Sequence, residues 1–64
     1  MSKLKELRTA SGLSQSGLAE KSGISVRMIQ QYEQGIRDIN KAQAIAVYRL
    51  AEALSCNVAD ILEK

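Results

Sequence analysis

The chain reads SQSGLAEKSGISVRMIQQYEQG over residues 14–35, and this stretch decides the fold. Its hydrophobic spacing predicts two short helices joined by a tight turn. Gly23 stands at the turn, where glycine adopts a left-handed backbone without steric cost. Ala19 is small enough to let the two helices approach closely. We therefore expect a helix-turn-helix unit over about residues 14–34.

Serine and glycine residues set the expected bounds of the first three helices. Helix 1 is predicted over residues 3–11, after Ser2 as its N-cap. Helix 2 is predicted to follow Ser14 and to end near Ser22, and helix 3 is predicted over residues 26–34. Each of the three is followed by a glycine that can stop it: Gly12, Gly23 and Gly35.

The fourth helix is predicted from a capping pattern. Asn40 is followed three residues later by Gln43, whose side chain can bond back to the cap. We expect helix 4 to extend from this cap to Leu54. Its buried side is expected to consist of five apolar residues: Ala44, Val47, Leu50, Ala51 and Leu54.

Asn57 and Asp60 repeat the cap signature and predict a short fifth helix, whose apolar residues are Val58, Ile61 and Leu62. Three roles stay open for these side chains: they close the core, contact a second copy of the chain, or present a surface to another protein. No β-strand pattern competes with the helices. The predicted fold class is all-α, a single compact domain of five helices over residues 1–64.

The charge of the chain is small and unevenly distributed. Nine Lys and Arg against seven Asp and Glu give a net charge of +2. Residues 1–41 carry seven basic and four acidic side chains, or +3, whereas residues 42–64 carry two basic and three acidic ones, or −1. The positive excess lies with the helix-turn-helix unit, which weakly indicates a nucleic-acid partner and is equally typical of scattered surface charge.

Cysteine and histidine usage excludes several kinds of site. The single Cys56 cannot form an internal disulfide, and the chain has no histidine with which it could hold a metal. Without histidine or a recognisable nucleophile, we expect no enzyme activity, no cofactor and no small-molecule ligand. A lone cysteine fits a reducing cytoplasm. No apolar run reaches the roughly 18 residues of a membrane span, and no signal peptide is evident.

Helix 3 carries a polar row opposite its apolar side. On a helical wheel Ile29 and Tyr32 share one side, whereas a row with i, i+4, i+7 spacing lies opposite, formed by Arg27, Gln31 and Gln34. Arginine bonds guanine bidentately and glutamine bonds adenine in the same way, so this row suits readout of the DNA major groove. A solvated polar face is the alternative for such a row taken alone.

Other residues of the unit are candidates for contacts with DNA phosphates. Gln15 lies at the N-terminus of helix 2, where backbone N–H groups favour an anion. Arg37 and Lys41 follow helix 3 and bring positive charge beside it. The full set of predicted DNA-binding residues is Ser14, Gln15, Ser25, Val26, Arg27, Met28, Gln30, Gln31, Gln34, Arg37 and Lys41.

Two charged residues fall on apolar helix faces. Arg8 shares a face with Leu4 and Leu7, and Glu33 lies beside Ile29 on helix 3. Charged residues are seldom buried unless they are paired. We expect Arg8 and Glu33 to form a structural ion pair between helices 1 and 3, the alternative being that both side chains extend to water.

The chain resembles the DNA-binding domain of phage repressors and related Cro/Xre-like regulators, so its five helices are expected to form a lambda-repressor-like domain. The likeness spans nearly the whole chain and rests on four motifs: LKELR at residues 4–8, LSQ..LAEKSGIS at 13–25, I..YE.G at 29–35, and LAEAL….VADIL at 50–62.

This resemblance implies sequence-specific binding to short operator duplexes, usually as a two-fold dimer that controls transcription. In the family, the positions that commonly reach DNA match Gln15, Val26, Arg27, Met28 and Gln31. Positions that approach the DNA backbone match Gln34, Arg37 and Lys41. The positions of Arg8 and Glu33 often hold a salt bridge, and the family implies no catalytic residue or cofactor.

The chain departs from the family pattern at several positions. Gly17 stands where relatives often have glutamate or another helix former, and Ser55 stands where a glycine often follows helix 4. The loop after helix 3 lacks the proline that is frequent there, and its Asp38 is expected to weaken a phosphate contact. A second function stays open because the net charge is only +2 and an apolar set lies near the C-terminus (Val58, Ile61 and Leu62): a protein-interaction module of the same fold, antitoxin-like or adaptor, for which DNA binding is secondary.

Overall fold

The computed structural model describes residues 2–63, which contain five α-helices and no β-strand. The elements in chain order are α1 (Lys3–Ala10), α2 (Gln15–Ser22), α3 (Val26–Gln34), a 3-10 turn (Ile39–Lys41), α4 (Ala44–Ala53) and α5 (Val58–Ile61). The predicted all-α, five-helix fold is confirmed. None of the helices in the described part of the chain is long and apolar enough to cross a membrane.

Serine side chains begin the first three helices. Each of these helices follows a serine, and the serine Oγ accepts the backbone N–H of the residue three positions later, at 2.9 to 3.1 Å. The three serines are Ser2, Ser14 and Ser25. Each bond satisfies a donor that the first helical turn leaves without a partner. The predicted starts of these helices are confirmed, and α1 ends at Ala10, one residue before its predicted end.

Every helix contributes one fully buried side chain to a common core. These five side chains are less than 2% exposed: Leu4 of α1, Leu18 of α2, Ile29 of α3, Leu50 of α4 and Ile61 of α5. Burying each one stabilises the fold by about 1.5–3 kcal/mol. The helices therefore depend on one another, and the orientation of α3 is set by the packing of its buried side against the other helices.

The predicted start of helix 4 is wrong. Asn40 does not cap α4, because the Asp38 Oδ1 atom accepts the Asn40 backbone N–H at 2.9 Å and begins the 3-10 turn instead. This turn puts Ile39 in the core, where it is 4% exposed. The amide of Asn40 bonds in both directions to the backbone of Glu63, whose N–H donates to Asn40 Oδ1 at 2.8 Å. α4 begins at Ala44, after Gln43.

The residues that α4 buries differ from the predicted set. Ala44 was expected in the core but is exposed at the first turn, and Ala46 and Ala53 are buried in addition to those predicted. The other four predicted core residues are confirmed as buried: Val47, Leu50, Ala51 and Leu54.

α4 ends on a residue in the left-handed region. Ser55 has a φ of +56°, and the Cys56 N–H donates to the Ala51 carbonyl at 2.9 Å, as in a glycine-terminated helix. In α5, which follows, Ile61 is fully buried whereas Val58 is 37% exposed. Three roles were left open for the apolar residues of this segment, and Ile61 has the first of them, because its side chain closes the core.

Candidate nucleic-acid interface

The corner between α2 and α3 is rigidly defined by its backbone. Gly23 has a φ of +78°, and its N–H donates to the Ala19 carbonyl at 2.9 Å. The buried Ser22 accepts the Ile24 N–H on its Oγ at 3.2 Å. A Cβ on Gly23 would meet only ordinary contacts, so the left-handed backbone rather than space requires glycine here. The corner holds α3 across α2.

α3 has a buried side and an outward side. Ile29 is fully buried and Tyr32 is 6% exposed. On the outward side Arg27 and Gln30 are exposed and Gln31 is half-buried. Val26 and Met28, the two apolar members of the predicted DNA-binding set, are half-buried, and Met28 also packs against the core.

The N-terminus of α2 is joined to α3 by a chain of side-chain hydrogen bonds. The Gln15 Nε2 donates to Glu33 Oε1 at 3.0 Å, and its Oε1 accepts from Gln30 Nε2 at 3.3 Å. Gln15 and Gln30, which the sequence proposes as separate DNA contacts, are therefore partners of each other. The Oγ atoms of Ser14 and Ser25 already accept helix-cap bonds, and each hydroxyl keeps its hydrogen as a donor.

Arg8 and Glu33 form a nearly buried ion pair between α1 and α3. Arg8 Nε donates to Glu33 Oε2 at 2.7 Å and Nη2 donates to Oε1 at 3.1 Å, with side chains 11% and 3% exposed. Arg8 Nη1 also donates to the Leu13 carbonyl at 2.8 Å. The bonds to Leu13 and Gln15 were not anticipated, because they depend on how residues 11–15 fold back onto the pair.

The loop after α3 folds back over that helix. Ile36 and Arg37 both donate their backbone N–H to the Gln31 carbonyl, at 3.0 and 3.2 Å. Arg37 Nε also donates to the Gln31 side-chain Oε1 at 3.0 Å. The exposed Arg37 and Lys41 line one groove with Met28 of α3, so the structure brings these candidates together.

Two residues differ from the expected arrangement of the surface. Gln34 is exposed at the end of α3 but lines a separate small groove with Ser2 and Glu63, away from Arg37 and Lys41. Ile36 was not a candidate, yet it is 70% exposed on the rim of the groove that Arg37 lines. An isoleucine directly after a helix-stopping glycine, with no helical neighbours to pack on, is the signal that could have identified it.

The described side chains offer few other chemical groups. Across residues 2–63, no three His, Cys, Asp or Glu side chains lie close enough to hold a metal ion. Cys56 is half-buried, and burial, followed by the negative charge of Asp60, raises the pKa of its thiol. A neutral thiol is a poor nucleophile. The exposed Asp38 carboxylate begins the 3-10 turn through its Oδ1, and Asp38 lines the same groove as Arg37 and Lys41.

Comparison with known proteins identifies the family and the fold. A family model described as helix-turn-helix matches residues 4–61, a range that begins at the second residue of α1 and ends with α5. Among solved structures, the chain is similar to the restriction-modification controller protein C.AhdI from Aeromonas hydrophila, with 36% sequence identity and a TM-score of 0.80. That match covers 91% of this chain and 83% of the other. No curated protein sequence matches the chain.

Proposed function

Because the chain belongs to the Cro/Xre-type helix-turn-helix family of DNA-binding transcription regulators, we propose that it recognises a short duplex sequence by placing α3 in the major groove. One observation carries the proposal. α3 packs on the core through Ile29 and Tyr32 and turns Arg27 and Gln31 outward. The major groove is wide enough for such a helix. The controller role stated for the similar solved structure supports a regulator.

The outward side of α3 supplies the base contacts in this proposal. Arg27 donates to guanine O6 and N7, and Gln31 bonds a purine edge. Val26 and Met28 meet thymine methyl groups. Gln30 is exposed and donates through its Nε2 to Gln15 Oε1. In this proposal it contacts the DNA with the remaining hydrogen-bonding capacity of its amide.

Phosphate contacts fix the position of the helix on the duplex. Residues at the N-termini of α2 and α3 offer hydroxyl, amide and backbone donors, and residues at and beyond the end of α3 offer an amide and two cations. The residues proposed for this role are Ser14, Gln15, Ser25, Gln34, Arg37 and Lys41.

Two copies of the chain are proposed to bind one operator. α3 is nine residues long and reaches only a few base pairs, so a single copy discriminates weakly between sequences. Two copies on half-sites about one helical turn apart multiply the discrimination. We place this activity in the cytoplasm, and it involves no catalytic residue, cofactor or metal.

A protein-interaction module is the second candidate function. Ile45 and Tyr48 lie one turn apart on α4 and are each 53% exposed, an apolar surface that suits a protein partner. Sedimentation at micromolar concentration, with and without duplex DNA, separates the two functions. A chain that associates with itself or with a partner but never with DNA supports the module.

The test of the proposal begins with selection of preferred duplexes from a random pool. Arg27→Ala and Gln31→Ala are then measured against the preferred duplex and its single-base-pair variants. We expect each to relax the preference at its own base pair, with a loss of roughly 1–3 kcal/mol per bidentate contact. Lys5→Ala, an exposed cation on α1, is the matched control and leaves every preference unchanged. If both α3 variants keep the wild-type preference, α3 is not the reading helix.

A further inference from the structure

Arg37 is bonded twice to one residue of α3. Its backbone N–H donates to the Gln31 carbonyl at 3.2 Å, and its side-chain Nε donates to the Gln31 Oε1 at 3.0 Å. The Ile36 N–H donates to the same carbonyl at 3.0 Å. The loop and its guanidinium are therefore held against the Gln31 side chain.

The chemistry of the two groups decides how Gln31 is oriented. A guanidinium has donors and no acceptor, so only the oxygen end of the amide can face it. The Gln31 NH2 group is therefore the end of the amide that has no bond from Arg37 and can turn to a base. A glutamine that reads adenine uses both ends, because its oxygen accepts from the N6 amino group while its nitrogen donates to N7.

We propose that Arg37 is a positioning residue that makes Gln31 select guanine over adenine. This inference rests on the proposed function, in which α3 reads the major groove. The Gln31 oxygen keeps a second lone pair after the bond from Arg37, but the N6 amino group of adenine would have to donate to it beside a guanidinium, whose positive charge repels the N6 hydrogens. Guanine instead presents two acceptors, O6 and N7, which accept from the amide NH2 and are attracted by the guanidinium beside it.

The distinguishing feature of this role is its dependence on position in the operator. A residue that only contacts a phosphate changes affinity for all sequences by one factor. A residue that orients Gln31 changes the preference at the single base pair that Gln31 reads. Lys41 provides the comparison, because it is an exposed cation lining the same groove as Arg37.

The experiment measures binding of the full chain to labelled duplexes by fluorescence anisotropy. The base pair whose preference is lost in Gln31→Ala is first identified, and guanine and adenine are compared there. The variants are Arg37→Met, which keeps the stem and removes donors and charge, and Lys41→Met as control. Arg37→Gln is a second variant, and circular dichroism establishes that each one folds.

We expect wild type to prefer guanine, and Arg37→Met and Arg37→Gln to lower the guanine-to-adenine affinity ratio at that base pair by about fivefold or more. Lys41→Met is expected to weaken both duplexes equally. In the double variant Gln31→Ala with Arg37→Met, the ratio is expected to equal that of Gln31→Ala alone.

Two results would overturn the inference while leaving the proposed function intact: a wild-type preference for adenine at that base pair, or an unchanged ratio in the Arg37 variants with uniformly weaker binding. If wild type shows no base preference at any position, or if Gln31→Ala and Arg27→Ala alter none, the reading role of α3 itself fails.

Discussion

Three donors converge on the carboxylate of Glu33, two from Arg8 and one from Gln15. The carboxylate is almost fully buried, so its charge is stabilised by these bonds rather than by water. The same network includes Gln15 at the start of α2 and Gln30 on α3. A single buried charge thus links the stability of the domain to the arrangement of the proposed DNA-binding surface.

Arg8→Met removes the cation and keeps most of the apolar stem. We expect the free energy of unfolding to fall by about 3–5 kcal/mol. The reason is that the buried Glu33 carboxylate loses its cation and keeps only the neutral Gln15 amide as a partner. That is a large part of the roughly 3–10 kcal/mol available to a domain of this size. Urea denaturation followed by circular dichroism measures the change.

The matched control for this prediction is Lys5→Met, an exposed cation on the same helix, which is expected to change stability by no more than about 0.5 kcal/mol. An Arg8→Met variant with the denaturation midpoint of wild type would show that the ion pair does not stabilise the fold.

At the scale of the residue, the sequence predicts the pairing of Arg8 with Glu33 but not the other hydrogen bonds of the network. The helical positions of Arg8 and Glu33 show that each charge faces the core, which is enough to suggest that they pair. The bond to the Leu13 carbonyl and the bond from Gln15 depend on the path of the chain after α1. That path has no periodicity from which it could be predicted.

At the scale of the helix, Gly17 lies inside α2, where glycine is an unfavourable residue. Glycine in a helix destabilises it by roughly 0.5–1 kcal/mol relative to alanine. A Cβ at this position would lie 3.3 Å from Ser14 Oγ and 3.5 Å from Leu13 Cδ2. The first contact is tight, but it involves a short side chain that can move by a few tenths of an ångström. We expect Gly17→Ala to stabilise the domain by about 0.5 kcal/mol, measured by thermal denaturation.

Gly12→Ala is the control, because it makes the same substitution in the opposite backbone setting. Nothing lies within 4 Å of a Cβ built there, yet Gly12 has a φ of +74°. The left-handed backbone makes alanine unfavourable by roughly 1–2 kcal/mol. The two variants are therefore expected to differ in sign, and a Gly17→Ala variant that melts below wild type would show that Ser14 cannot adjust without losing its cap bond.

The helices also show where local signals are sufficient. α2 and α3 begin after the predicted serines and end before the predicted glycines, because those signals are local and unopposed. Before α4 the local pattern predicts Asn40 as the cap, whereas in the structure Asp38 begins a 3-10 turn that includes Asn40. This arrangement goes with burial of Ile39 and with the bonds between Asn40 and Glu63, 23 residues away, neither of which is a local signal.

At the scale of the whole molecule, the candidate surface combines three segments that are separate in the sequence. The wheel of α3 predicts which of its residues face outward, and the glycine corner predicts that α3 lies across α2. The contact of Arg37 with Gln31 could not be predicted, because it requires the loop to turn back after Gly35, which has a φ of +80°. The sequence predicts which residues belong to the candidate surface, whereas the fold determines which of them lie together.

The distribution of charge over the molecule leads to a prediction about salt. Of the seven basic residues in residues 1–41, Arg8 is neutralised by Glu33, and the cations proposed for phosphate contacts are Arg37 and Lys41. Two neutralised phosphates per copy give a slope of log K against log salt of about −1.8, or about −3.6 for two copies on one operator. Affinity is then expected to fall roughly a hundredfold between about 0.05 and 0.2 M salt.

Variants that each remove one cation test which charges produce this slope. Lys41→Met is expected to reduce the slope for two copies by about 1.8, because each copy loses one phosphate contact. Lys5→Met lowers the net charge equally but removes a cation on α1, outside the proposed surface, so its slope is expected to equal that of wild type. Anisotropy titrations across the salt series measure all three proteins. Equal slopes for the two variants would mean that overall charge, and not contacts from the groove beside α3, attracts the duplex.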